Sequence, residues 1–269
     1  MSNLNGAGSK VERAIAAMRN EFCGNEWLLN EYWPQNEAHV RLMIADAIAC
    51  FPPGPDVRLL DVGCFNGYIS YLFRHLGYHV TGTDMQKLEH RDALFERAGI
   101  EFIRANMNDP SPYHHLAAKP FDIVIIAQVI EHILNHPLGL IRSLGAAMRQ
   151  GGLMILTTPN PANIMNAARI VKGRSMLWGT QDFMDEPKFD GGEIISEGHI
   201  HYREYTRAEL CHLLTVAGLR IEKSQYLGYG KNQAEPLMKR FLKSNPLIRK
   251  LASLRLFASN HYFLARKVS

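Results

Sequence analysis

From Val57 onward, the sequence alternates between short apolar runs and stretches with helical hydrophobic spacing. This alternation is typical of a mostly parallel sheet with helices on both faces, so it predicts an α/β, doubly wound fold. The run at 121–127 (FDIVIIA) is apolar on both faces, which places it near the middle of the sheet. The strands that the pattern predicts are 57–62, 78–83, 100–105, 121–127, 153–158, 219–226 and 261–268.

Three of the segments between these strands carry helix start and stop signals. The first has apolar residues at i, i+3, i+4 and i+7 from Ile69 and ends at Gly77. The second begins at Pro137, and the third begins at a capping box formed by Thr206 and Glu209. We therefore expect amphipathic helices that pack against the sheet.

A glycine-containing turn follows the first predicted strand. In the stretch 59–67 (LLDVGCFNG), Gly63 and Gly67 allow the backbone to turn tightly and approach a ligand just before a helix begins. The third glycine of the dinucleotide-binding GxGxxG pattern is absent. No Gly-Lys-Ser/Thr follows either, which argues against a P-loop.

Two acidic residues lie at the ends of the first two strands. The carboxylate of Asp61 is poorly placed for a pyrophosphate and well placed for a cationic group of a ligand. Asp84 ends the second strand, where an acidic side chain can accept both hydroxyls of a ribose. A nucleoside with a free ribose, a positive group and no phosphate describes S-adenosylmethionine, which we expect as the cofactor.

The stretch from 57 to 226 resembles the class I S-adenosylmethionine-dependent methyltransferases. The segments that carry the resemblance, in the family's order, are 59–67, 83–85 (TDM), 105–108 (ANMN), 121–133 (FDIVIIAQVIEHI), 151–159 (GGLMILTTP) and 205–218 (YTRAELCHLLTVAG). The resemblance implies a Rossmann-like, seven-stranded, mostly parallel sheet with one antiparallel late strand.

The resemblance also implies which residues bind the cofactor. Gly63 and Gly67 would approach its methionine part, Asp61 would hold its amino group, and Asp84 would bind its ribose. The full implied set, in which Asn106 or Met107 borders the adenine, is Asp61, Gly63, Cys64, Asn66, Gly67, Asp84, Met85, Asn106, Met107 and Gln128. A doubly wound domain that binds another nucleotide is the alternative interpretation of the same motifs.

Histidine is the candidate base for an oxygen nucleophile near neutral pH. His132 directly follows the fourth strand, at the sheet edge where ligands bind in open α/β folds. It could be the base or contact the substrate, and the alternative is that Glu131 and His132 only cap or polarise a loop near the cofactor. The block 128–132 (QVIEH) is similar to the Glu-x-x-Glu-His that binds a divalent metal in quinone-pathway O-methyltransferases, but Gln128 replaces the first Glu, so we predict no metal site. His199 and His201 share one side of an extended segment and are further catalytic candidates, with solvated loop histidines as the alternative.

By this interpretation the chain divides into an N-terminal helical extension (1–51), a cofactor-binding half of the core (52–162), an inserted lid or substrate segment (163–204) and a C-terminal part of the core with a basic tail (205–269). Long insertions after sheet strands usually bind ligands or cover sites. In the N-terminal extension we expect Trp27 to pack against the sheet, whereas Trp33 could also form part of a lid.

Composition and patterning narrow the class of protein further. No apolar stretch approaches the ~18 residues of a membrane span, and the charged first thirty residues lack the apolar part of a secretory signal. The four cysteines form no CxxC pair. We therefore expect a cytoplasmic protein.

Residues 236–269 contain eight Lys or Arg and no acid, so weak contact with an anionic membrane surface is one hypothesis, and a helix with solvated basic groups is the other.

These features together predict a methyltransferase that acts on a small molecule, on an oxygen of a sugar, natural-product or phenolic intermediate. Two alternatives remain open: a metal-dependent O-methyltransferase of a quinone or lipid-linked acceptor, and a non-catalytic nucleoside-binding module. Nucleic acid is not an expected partner, because 157–161 (TTPNP) lacks the Asn/Asp-Pro-Pro-aromatic sequence of enzymes that methylate amino groups of nucleic acids. Nothing in the sequence indicates the oligomeric state.

Overall fold

The computed structural model describes residues 2–109, 113, 115–134, 137–177, 188–190, 193–196, 200–228 and 258–268. Its strands are β1 (Arg58–Val62), β2 (His79–Asp84), β3 (Glu101–Arg104), β4 (Phe121–Ala127), β5 (Met148–Pro159), β6 (Lys188–Asp190), β7 (Glu193–Ser196), β8 (Leu219–Gly228) and β9 (Ala258–Lys267). Seven of them form one sheet in the order β3-β2-β1-β4-β5-β9-β8, and β6 pairs with β7 in a separate hairpin.

The large sheet is parallel except for β9, which runs antiparallel to both β5 and β8. The seven strands, the single antiparallel strand and the central position of β4 confirm the predicted α/β architecture. Strand β5 begins earlier than the pattern predicted. Met148 already pairs with Phe121, before an irregularity that brings Leu153 opposite Ile123.

Seven α-helices accompany the sheet in the described part of the chain: α1 (Ser2–Glu21), α2 (Trp33–Cys50), α3 (Tyr68–Leu76), α4 (Glu89–Ala98), α5 (Pro137–Ala147), α6 (Ile164–Val171) and α7 (Arg207–Val216). Helix α7 begins at the predicted capping box, in which the side chains of Thr206 and Glu209 each accept from the other residue's backbone N–H. The N-terminal extension is helical, and a π-helix at Trp27–Tyr32 lies between α1 and α2. Pro34 follows in the first turn of α2, where a missing N–H costs no hydrogen bond.

Apolar residues are buried on both faces of the sheet because neighbouring residues of each strand point to opposite sides. Leu59 and Ile123 pack with α1, α2 and α3 on one face. Leu60 and Val124 pack with α5 and α7 on the other. With both faces covered, the edge at which β1, β2, β4 and β5 end remains for a ligand.

Several predictions concern residues outside the described part of the chain. His199 and residues 236–257 of the basic tail belong to this group. Among the helices that are described, none is long and apolar enough to cross a bilayer.

Candidate functional site

The turn between β1 and α3 is held in a conformation that requires its two glycines. Gly63 and Gly67 have positive φ angles of 68° and 86°. A Cβ atom on Gly63 would lie 2.5 Å from Val129 Cγ2, and one on Gly67 would lie 2.4 Å from Phe95 Cε1. Two features therefore favour glycine at both positions: the positive φ angle and the close approach of a neighbouring side chain, which leaves no room for a Cβ atom.

Asp84 lies at the end of β2 with its carboxylate held by backbone donors. Oδ1 accepts from Gln86 N and Oδ2 accepts from Phe65 N, each at 2.8 Å. Burial raises the pKa of Asp84, while these N–H groups and the nearby guanidinium of Arg91 oppose the rise. A carboxylate fixed in this way retains lone pairs for hydroxyl donors, as recognition of a ribose requires.

Arg91 fixes both segments that hold Asp84. Its fully buried guanidinium donates to Phe65 O at 3.1 Å and to Gln86 O at 2.7 Å. It also lies over the ring of Phe102, 4.0 Å from the centroid. Arg91 thereby sets the geometry of the two N–H groups that position the carboxylate.

Asp61 is a buried acid at the end of β1. Its Oδ2 accepts a hydrogen bond from Ser70 Oγ at 2.6 Å. Burial raises the pKa of Asp61 to about 7, the hydrogen bond from Ser70 lowers it, and the negative charge of Asp84 raises it further. Because a cationic group would stabilise the charged form, the site fits the amino group of a ligand on electrostatic grounds.

The remaining predicted cofactor residues occupy different places. Cys64, Met85, Met107 and Gln128 line the same cavity as Asp61 and Asp84, whereas Asn106 lies outside its lining. Asn106 is exposed, and its Oδ1 accepts from Asn108 N within a turn. Burial raises the pKa of the Cys64 thiol well above its usual range, which disfavours the reactive thiolate form.

Asn66 contributes a buried donor to the same cavity. Its Oδ1 accepts from Tyr68 N at 3.3 Å, while no described residue accepts from its buried Nδ2. A buried polar group without a partner is costly, and a ligand acceptor in the cavity would relieve that cost. This observation supports a polar ligand beside the β1–α3 turn.

Aromatic side chains from the N-terminal extension border the cavity. Trp27 is 42% exposed and lies with its ring centroid 4.9 Å from Tyr32 and 6.3 Å from Phe65. Trp33, in contrast, is fully buried in the core. The prediction that Trp27 packs against the sheet was therefore wrong, because Trp27 is partly exposed and borders the cavity. Trp33 is the tryptophan that packs in the core.

An acidic residue and two histidines meet where β4 ends. Glu131, His132 and His201 each place one potential ligand atom within 4.8 Å of the others. His132 Nδ1 lies 2.7 Å from Ile200 O. Because a carbonyl only accepts, the proton is on Nδ1 and the lone pair is on Nε2. The His201 ring lies edge-on to that of His132, with centroids 5.0 Å apart.

Neighbouring polar side chains hold two members of this cluster in place. His201 Nδ1 is 2.9 Å from Glu204 Oε1, and Glu131 Oε2 accepts from Thr158 Oγ at 2.8 Å. Burial raises the pKa of Glu131 to about 7, against the opposing charge of His201. No described residue donates to Glu131 Oε1. An acid and two imidazoles with such supporting partners have the composition of a divalent-metal site as well as that of a proton-transfer site.

Sequence reasoning missed part of this cavity, which has a volume of about 790 Å³. Glu204 was not identified from the sequence. It lies beside His201 because the segment 200–205 packs on the end of β4, where the N–H groups of Tyr202 and Arg203 donate to Glu131 O. The missed lining residues from α2, α6 and β9 are Gln35, Asn36, Asn163, Asn166, Arg169, Ser259 and Asn260. The only available signal was the density of asparagine at 160–166 (NPANIMN).

Comparisons with known proteins show that the chain is similar to methyltransferases. A family model described as a methyltransferase domain matches residues 27–224. The ubiquinone biosynthesis O-methyltransferase of Xanthomonas campestris pv. campestris (strain B100) is 26% identical over 211 residues, which cover 72% of this chain and 78% of that protein.

Solved structures share the fold at low sequence identity. An S-adenosylmethionine-dependent methyltransferase from Archaeoglobus fulgidus has a TM-score of 0.56 at 17% identity, covering 90% of this chain and 99% of that one. The 1,6-didemethyltoxoflavin-N1-methyltransferase of Burkholderia thailandensis, with bound 1,6-didemethyltoxoflavin and S-adenosylhomocysteine, has a TM-score of 0.54 at 17% identity, covering 96% and 90% of the two chains.

Proposed function

We infer the function from the premise that this chain belongs to the class I S-adenosylmethionine-dependent methyltransferases. The chain is an enzyme, and S-adenosylmethionine is its methyl donor. The reaction we assign to it is methyl transfer to an oxygen atom of a small-molecule acceptor. The observation that carries the assignment to oxygen is the meeting of Glu131, His132 and His201 in the cavity that contains Asp61 and Asp84.

The part of the cavity that contains Asp61 and Asp84, which we call the donor half because it would bind the methyl donor, matches the chemistry of this cofactor. Bound S-adenosylmethionine supplies a methyl group on a positively charged sulfur, which is already activated for displacement. The Asp84 carboxylate offers acceptors to the ribose hydroxyls, and Asp61 offers a negative charge to the amino group. The protein's main contribution is alignment, which can lower a barrier by ~7–11 kcal/mol.

The acceptor hydroxyl needs a group that takes its proton. The hydrogen bond between His132 Nδ1 and Ile200 O leaves the Nε2 lone pair as the basic atom. In the proposed reaction His132 Nε2 removes the proton of the acceptor hydroxyl as the hydroxyl oxygen bonds to the methyl carbon. The methyl–sulfur bond breaks in the same step, and S-adenosylhomocysteine leaves. Glu204 orients His201 beside it through Nδ1.

A divalent metal is a second way in which the same cluster could activate a hydroxyl. Glu131 Oε1, His132 and His201 would hold the ion, which would lower the pKa of a bound hydroxyl. The relatives named ubiquinone biosynthesis O-methyltransferase support oxygen as the methylated atom in either case. Gln128, at the position of the first Glu in the metal-binding motif, donates from Nε2 to Thr157 Oγ1 at 3.3 Å.

The experiment compares His132→Ala, His199→Ala and His201→Ala for release of S-adenosylhomocysteine with catechol as the probe acceptor. If His132 is the base, its variant should lose kcat by a factor on the order of 10²–10⁴. S-adenosylhomocysteine affinity, measured by calorimetry, should stay unchanged. His75→Ala, on the exposed side of α3, is the matched control and should keep full activity.

The outcomes separate the two mechanisms. A His132→Ala enzyme that retains more than half of its kcat, while His199→Ala or His201→Ala loses activity, contradicts the choice of base. Activity that a chelator abolishes and Mg²⁺ or Zn²⁺ restores, with Glu131→Gln as damaging as His132→Ala, favours the metal-assisted reaction.

A further inference from the structure

Asparagines from three separate elements line the cavity. Asn36 comes from α2, Asn166 from α6 and Asn260 from β9. Strand β9 begins beside the end of β5, and the backbone N–H of Asn160 donates to Ser259 O there. Asn166 and Asn260 therefore lie towards the β5–β9 end of the sheet edge, whereas Asp61 and Asp84 lie at β1 and β2.

Hydrogen bonds fix which way each of the three amides points. Asn36 Nδ2 donates to Tyr32 O at 2.9 Å, and Asn166 Nδ2 donates to Pro161 O at 3.1 Å. Both partners are backbone carbonyls, which only accept, so the amide nitrogen must face them. Asn260 Nδ2 donates to Ser259 Oγ at 3.0 Å. Because the Ser259 hydroxyl itself donates to Leu227 O, it acts as the acceptor for Asn260.

The consequence is a wall of amide groups that offers acceptors to a ligand. Each Nδ2 gives one of its two N–H groups to the protein, so each of Asn36, Asn166 and Asn260 keeps its Oδ1, to which no described residue donates, and one N–H. A ligand that lies against this wall must bring donors, because hydrocarbon placed against amide carbonyls leaves them desolvated and unsatisfied. Hydroxyl groups in a row are such donors.

We propose that this asparagine wall binds a polyhydroxylated, sugar-type acceptor, and not a phenol with a long apolar tail. The inference rests on the proposed function, since it names the substrate class of the same cavity. His132 follows β4, which lies in the sheet between the donor strands β1 and β2 and the strands β5 and β9. A sugar ring held by the wall would thus present one hydroxyl to His132 Nε2 and the others to the asparagines.

The test uses the full chain with S-adenosylhomocysteine bound, and two probe sets: methyl hexopyranosides with nucleoside-diphosphate hexoses, and octylcatechol. Binding is measured by saturation-transfer NMR, and methylation is measured with S-adenosylmethionine. We expect saturation transfer to the ring protons of at least one glycoside. We also expect Asn166→Leu to raise the KM for that glycoside about tenfold, as loss of a ligand hydrogen bond predicts.

Two further variants keep the test sharp. Asn260→Leu repeats the change on another element, in case Asn166→Leu does not fold. Asn20→Leu alters an exposed asparagine of α1 away from the cavity and should change nothing. Calorimetric affinity for S-adenosylhomocysteine should be unchanged in all variants. This result would show that a variant is folded, so that a raised KM reports the loss of the asparagine contact.

The outcomes for this inference differ from those for the proposed function. Failure of every glycoside to bind or to be methylated overturns the sugar-type acceptor, and His132-dependent methylation of octylcatechol would then leave the proposed function standing. Glycoside binding that Asn166→Leu and Asn260→Leu weaken, without methylation of any oxygen, supports the wall and contradicts the proposed function. Glycoside KM values that are equal in wild type and both variants also overturn the inference.

Discussion

Replacing Asp61 by asparagine should remove a pH dependence from the free energy of unfolding. Burial raises the pKa of Asp61 to about 7 in the folded chain, whereas an unfolded aspartate has a pKa of ~3.9. Between these values the folded state binds the proton more tightly than the unfolded state. This contribution to stability is therefore fully present below about pH 4 and is lost as the pH rises through 7.

The size of the effect follows from the two pKa values. Integrating proton binding from about pH 5 to about pH 8 gives a loss of about 2.6 kcal/mol from this one group. Asp61→Asn keeps the shape of the side chain and a partner for Ser70 Oγ, but it does not titrate. Its unfolding free energy should therefore fall less over this range than that of the wild type, by about that amount.

The assay is urea unfolding of the cofactor-free protein at several pH values, with wild type and variant compared at each. Glu131, whose pKa burial also raises to about 7, contributes a loss of the same sign to both proteins, so it cancels in the comparison. Ser70→Ala should have the opposite signature, since loss of its hydrogen bond raises the pKa of Asp61 and moves the decline to higher pH. Parallel curves for wild type and Asp61→Asn would refute the reasoning.

The remaining predictions concern the two sides of the donor site. Asp84→Ala should weaken S-adenosylhomocysteine binding at least tenfold, because removing a buried acceptor of ligand hydrogen bonds costs ~1.5–3 kcal/mol; unchanged calorimetric affinity in a folded variant would contradict this role. Gly67→Ala should lower the thermal midpoint and the cofactor affinity together, since its Cβ would meet the Phe95 ring at 2.4 Å and its φ is positive. Recovery of both properties in the double variant Gly67→Ala/Phe95→Leu would show that the steric contact matters more than the backbone angle.

Local sequence signals were sufficient for the elements that depend on neighbouring residues. Strand β4 was predicted from a run that is apolar on both faces, and the structure buries it at the centre of the sheet. The start of α7 was predicted from Thr206 and Glu209 because a capping box involves residues only three positions apart. The extra length of β5 was not predictable, since Met148 extends that strand by pairing with the distant Phe121.

The donor and acceptor halves of the cavity differ in the same way. Asp61, Gly63 and Asp84 lie at or just after the ends of consecutive strands, so their order in the sequence already predicted that they would meet at one edge. The meeting of His132 with His201 and Glu204 joins segments about seventy residues apart, and only packing of 200–205 on the end of β4 brings them together. The same holds for the three asparagines of α2, α6 and β9: the partners of their amides are within five residues, but only the tertiary structure brings the three elements to one cavity. Periodicity and strand-end chemistry thus determined the fold and the donor site, whereas the acceptor side depended on tertiary contacts that no local pattern encodes.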